Sequence, residues 1–144
     1  MRAILRTEFG GPEVLVIREI PELEPKDGHL VIEVKAFGLN HAELHMRKGE
    51  WAEIADVSGI ECVGVVKSCP GGEFAPGTKV AALMGGLGRT IDGSYAEYTR
   101  APSTTSRRSN PTSAGPSWRP SRRPTRRPGR ACSATSKSPE GRRW

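Results

Sequence analysis

The chain has 144 residues, with 22 Lys and Arg against 16 Asp and Glu and a formal net charge of +6. That length allows one domain of ordinary size, and no stretch approaches the roughly 20 consecutive apolar residues that a membrane-spanning helix needs. The charge is split: residues 1–100 hold 11 basic and 15 acidic side chains, net −4, while residues 101–144 hold 11 basic side chains and only Glu140, net +10, so the basic balance is no nucleic-acid signal for the first segment.

In chain order, Ala3–Arg6 and Glu13–Ile20 are short β-branched-rich runs separated by the Gly10-Gly11-Pro12 turn signal. The Pro21–Gly28 stretch is polar and turn-rich. His29–Phe37 follows as the clearest strand, with Leu30, Ile32, Val34 and Ala36 alternating on one apolar face. Asn40–Arg47 predicts one or two helical turns with Asn40 as the N-cap. Ile60–Lys67 and Thr78–Met84 are two more strands, joined by a Pro- and Gly-rich loop over residues 69–77, and Ser94–Thr99 is the last. Six or seven short strands with one short helix predict a mainly β protein built as a small antiparallel barrel.

Residues 101–144 contain no Leu, Ile, Val, Met, Phe or Tyr. Such a segment buries too little apolar surface to offset its ordering entropy, so it is expected to be a disordered Arg/Pro/Ser-rich tail. Cys62, Cys69 and Cys132 form no CxxC pair and predict neither a disulfide framework nor a zinc knuckle. The N-terminus lacks a signal-peptide apolar region, so a soluble, cytoplasmic protein is expected. His41 and His45 stand four apart on the predicted helix, a metal-compatible spacing, but no third ligand is near in sequence and both are expected to be solvent-exposed. Gly85-Gly86-Leu87-Gly88 lacks the pattern and the βαβ setting of a dinucleotide loop.

Five ordered motifs within residues 1–100 resemble the N-terminal, GroES-like domain of the medium-chain dehydrogenase/reductase family. They are MRAILRTEFGGPEVLVIRE, VKAFGLNHAELHMRKG, GIECVG, FAPGTKV and GSYAEY. The quinone-oxidoreductase-like branch is the most similar. The resemblance implies a GroES-like barrel over residues 1–100, a Rossmann domain absent from this chain, and hydride transfer from NADP or NAD to a quinone or enone. Family members are often homodimers.

The zinc-binding relatives carry a ligand Cys and a ligand His where this chain has Asn40 and Ile60. An aliphatic side chain cannot coordinate a metal and an amide oxygen is a poor zinc ligand, so no metal is expected. What remains as implied site residues is Asn40, orienting substrate or cofactor, with Trp51 and Ile60 lining the substrate cleft. Glu61 is expected to be a structural carboxylate. No cofactor-binding residue is expected in this chain, so the fragment alone is expected to be inactive.

Residues 101–144 are expected to be a frameshifted translation. A one-base shift converts TCN serine codons into codons for Leu, Ile, Val or Phe, and CGN arginine codons into codons for Ser, Pro, Thr or Ala. Shifting synonymous codons for residues 118–144 permits LAALPETYATAWACLFGNLEIARGQTL, and those for residues 103–117 permit VDNVAPIESDLSWAE. Both resemble the family's continuation. The alternative function is a module binding nucleic acid or acidic partners non-specifically through its Arg pairs, such as Arg107-Arg108 and Arg122-Arg123.

Overall fold

The structure is a computed structural model and describes residues 1–109. Strands β1 (Arg2–Arg6) and β2 (Leu15–Glu19) form an antiparallel pair. The strand expected from Glu13 starts two residues later. Pro12, with its fixed φ and no N–H to donate, opens a single 3₁₀ turn over Pro12–Val14, whose first carbonyl is taken by the Leu15 N–H.

The remaining strands are β3 (His29–Ala36), β4 (Glu61–Ser68), β5 (Lys79–Leu83), β6 (Tyr98–Pro102) and β7 (Ser106–Arg108). They make one antiparallel sheet in the order β6-β3-β4-β5-β7. Helix α1 (His41–Arg47) lies between β3 and β4 in the chain. The β3 alternation places Leu30 and Ile32 in the core, where they meet Cys62 and Val66 of β4, Val80 and Ala82 of β5, and Ala101 of β6.

Strands β6 and β7 sit on opposite edges of this sheet, yet only Ser103–Thr105 separate them. From Pro102 to Ser106 the backbone reaches at most about 14 Å. Four strand spacings in a flat sheet amount to about 19 Å. A flat sheet is therefore impossible, and the five strands curl until their edges approach, as a small barrel requires.

This closure corrects two expectations. The last strand starts at Tyr98 rather than Ser94 and runs on to Pro102. Residues 93–95 instead pair sideways, through Gly93 N–H to Val57 O at 2.8 Å and Tyr95 N–H to Ser58 O at 2.9 Å. The expected domain boundary at residue 100 is also too early, since Ala101–Arg108 complete the barrel. Strand pairing is a backbone property, and Ala101 and Ser106, although small, are fully buried, with the Ser106 hydroxyl donating to Pro102 O. A reading by large apolar side chains passes over such a segment. The rest of the expected tail, residues 110–144, lies outside the described residues. Among the described residues no helix is long and apolar enough to cross a membrane.

If β7 closes the barrel, a chain ended at Pro102 should melt about 5–10 °C below one ended at Ser109, the scale of one to two kcal/mol in a domain this small. Thermal denaturation followed by circular dichroism checks this, and equal midpoints would mean that β7 contributes nothing to the core.

Candidate functional site

Helix α1 begins at Asn40, whose extended backbone (φ −107°, ψ 146°) suits an N-cap. Three residues on, Glu43 completes a capping box, its Oε2 accepting the Asn40 N–H at 2.8 Å. The Glu43 carboxylate is buried and does more than cap. Its Oε1 accepts the Ile60 N–H at 3.0 Å, and its Oε2 also accepts the Tyr95 hydroxyl. One carboxylate thus ties the start of α1 to the start of β4 and to the loop before β6.

The approach of those loops depends on Gly59. At φ +108°, it lies in a region that L side chains rarely adopt, and a Cβ there would stand 2.6 Å from the Ser94 backbone nitrogen. With glycine in place, the Ser94 N–H reaches Gly59 O at 3.1 Å and the Ser94 hydroxyl reaches Glu61 O at 2.6 Å. Tyr95 is then held with its ring against Phe37, centroids 4.6 Å apart. Burial, and next the Glu43 carboxylate, push the Tyr95 phenol well above its ordinary pKa.

Asn40 donates one amide hydrogen to Glu61 Oε1 at 3.2 Å. This fixes the amide plane and leaves its second amide hydrogen for a ligand. Ile60 is buried, its N–H held by Glu43. The Trp51 ring lies under the Arg89 guanidinium at 5.2 Å, and Arg89 in turn reaches Glu53. Among the described residues no hydrogen bond or ring contact joins Trp51 to Asn40. Hydrogen bonds thus link Asn40 to Glu61, and Asn40 to Ile60 through Glu43.

Two clefts open beside this node and meet at Phe37. The larger, about 500 Å³, runs between β1 and β3 and is lined by Ile4, Ile17, Val34, Phe37 and Tyr95. The smaller, about 370 Å³, is walled by Phe37, Cys62, Val63 and Leu83, with Glu61 as its carboxylate. We place the candidate site at the smaller one, because its lining includes Glu61, the hydrogen-bond partner of the Asn40 amide, although neither Asn40 nor Ile60 lines either cleft. Burial pushes the Cys62 thiol up to about 11, so it stays protonated and unreactive at neutral pH.

Among the described residues no three His, Cys, Asp or Glu side chains converge as a metal-binding group. Of the two positions at which the sequence resemblance implied zinc ligands in relatives, Asn40 holds an amide engaged by Glu61 and Ile60 a side chain without a donor atom. The sequence reading missed Glu43 and Tyr95. The Asn40-x-x-Glu43 spacing was a legible capping-box signal for the first, whereas nothing local marked the second.

The profile of the alcohol dehydrogenase GroES-like domain matches residues 26–108, ending at the last residue of β7. The quinone oxidoreductase of Homo sapiens is 38% identical over 115 residues, covering 73% of this chain and 32% of that protein. The chain thus spans about a third of the length of the curated relatives it matches. The crystal structure of a quinone oxidoreductase from Pseudomonas syringae pv. Tomato DC3000 superposes with a TM-score of 0.68 at 28% identity, over 77% of this chain and 34% of that one. A mycobacterial protein solved in complex with NADPH gives the same TM-score of 0.68 at 29% identity, over 78% of this chain and 33% of that one.

Removing the Glu43 carboxylate leaves three donors unpaired in a closed site, so Glu43→Ala should cost about 3 kcal/mol or more, and Tyr95→Phe, which removes one donor, about 1–2 kcal/mol. Urea denaturation measures both, and a Glu43→Ala cost below that of Tyr95→Phe would contradict the shared node. Alkaline stability should reflect Cys62. Its folded pKa is raised from 9.0 to about 11, so its contribution is whole below pH 9 and is lost as pH rises from 9 to 11. Cys62→Ala should flatten that part of the stability profile relative to the parent.

Proposed function

Because this chain belongs to the alcohol dehydrogenase GroES-like domain family, we propose that it is the N-terminal catalytic-domain part of an NAD(P)H-dependent oxidoreductase acting on a quinone or enone. The observation that carries the reading is the replacement of zinc ligands by Asn40 and Ile60 beside an apolar cleft, in a chain similar to quinone oxidoreductases. The reading is zinc-independent: Phe37, Val63 and Leu83 supply an apolar wall for a flat acceptor, and the remaining Asn40 amide hydrogen donates to its carbonyl oxygen. Glu61 positions Asn40 and is not the acid.

A reduced nicotinamide supplies the hydride in such chemistry. What supports reading this chain without a cofactor site is that the pairings of its described strands are antiparallel, with no βαβ unit among the described residues to offer a helix N-terminus to a pyrophosphate. The 144-residue chain is accordingly read as inactive alone, and residues 101–144 as the product of a one-base slip close to residue 101, in the gene or its reported sequence.

Resequencing codons 95–145 and assaying the protein of the corrected frame tests both parts. That protein is expected to oxidise NAD(P)H with a quinone, unaffected by a zinc chelator, and Asn40→Ala should lower kcat/KM about ten-fold, equivalent to ~1.4 kcal/mol. The 144-residue chain should show no turnover. Turnover by that chain, a requirement for zinc, or an uninterrupted frame through the codons would each overturn the corresponding part.

A further inference from the structure

The outer face of α1 carries an arrangement that the proposed chemistry does not use. His41 and His45 lie one turn apart there, away from the buried Glu43 and Met46. Their ring centroids are 4.9 Å apart with planes at 74°. Two imidazoles sharing a tetrahedral cation, with metal–nitrogen bonds of about 2.0–2.1 Å, hold their centroids about 5 Å apart. The rings already stand at that spacing.

The end of the helix supplies a further group. The Glu50 N–H bonds to His45 O at 3.0 Å and the Gly49 N–H to Met46 O at 2.9 Å, with Gly49 at φ +80°. This is a Schellman turn, and it folds residue 50 back over the helix. The Glu50 carboxylate consequently pairs with Nδ1 of His45. A carboxylate on one imidazole nitrogen fixes the ring and raises the basicity of the other, as in carboxylate–histidine–metal triads. Nε2 of His45 is left to face a cation. His45 and Glu50 side chains are 42% and 49% exposed, so an ion in solvent can reach them. Arg47 is turned away, its Nε donating to Gly10 O at 3.1 Å.

We propose that His41 and His45 form a surface site for a late first-row divalent cation, with Glu50 orienting His45 from behind. The site has two protein ligands and water in its open positions, consistent with no three such side chains converging among the described residues. Imidazole donors select Cu²⁺, Ni²⁺ or Zn²⁺ over Mg²⁺ and Ca²⁺, with Cu²⁺ the tightest. Both histidines are accessible to solvent, and Glu50, the group that orients His45, comes from a turn and not from helical spacing.

Isothermal titration of the metal-free full chain with Ni²⁺ tests the site. Saturable binding of one ion per chain is expected, with none for Mg²⁺. His41→Ala and His45→Ala should each weaken binding ten-fold or more, and Glu50→Gln several-fold, while circular dichroism shows each variant folded. His29→Ala, which alters the chain's other histidine, should leave binding unchanged. Absence of saturable binding, or equal affinity in the His41→Ala/His45→Ala double variant, would overturn the proposal.

Discussion

Three residues, Ser103–Thr105, carry the backbone from one edge of a five-stranded sheet to the other, and the sheet curls because so short a link cannot cross it flat. Once curled, one face becomes an interior. Leu30, Ile32, Cys62, Val66, Val80, Ala82 and Ala101 fill it from four different strands. Side chains near the closing edge must be small, and Ala101 and Ser106 are. Ser106 satisfies its hydroxyl on Pro102 O, so burying it costs little.

Closure also decides which loops meet. The segment 57–59 and the segment 93–95 lie side by side on the outside of the barrel, bonded to each other and to β1. Their backbone groups pair with one another, and Glu43 satisfies the donors around that junction, the N–H groups of Asn40 and Ile60 and the Tyr95 hydroxyl. A buried carboxylate is normally a liability, and this one is acceptable because three donors from three parts of the chain converge on it. The cost of desolvating one charge secures the relative placement of Asn40, Ile60 and Tyr95.

Helix α1 is only seven residues long, and its two termini govern both of its faces. The capping box at the start turns Glu43 inward to the node. The Schellman turn at the finish swings Glu50 outward onto His45. The helix interior contributes little beyond Met46 in the core, so end effects and not helical propensity determine what this element does.

The sequence by itself determined the strand-rich class, the position of the helix and its N-cap, the apolar face of β3, and the family resemblance with its Asn40 and Ile60 substitutions. These are properties of periodicity, turn chemistry and residue type, which act over a few neighbours. The tertiary structure decided the rest: that residues 101–108 belong to the barrel, that Trp51 lies under Arg89, that Glu43 and not Glu61 is the central carboxylate, and that Glu50 reaches His45. Strand pairing is made by backbone groups that every non-proline residue carries. Convergence on a buried carboxylate joins residues up to 52 apart, as Tyr95 and Glu43 are. Neither leaves a local signature, because the donors are ordinary amides and a hydroxyl until closure of the barrel removes their water.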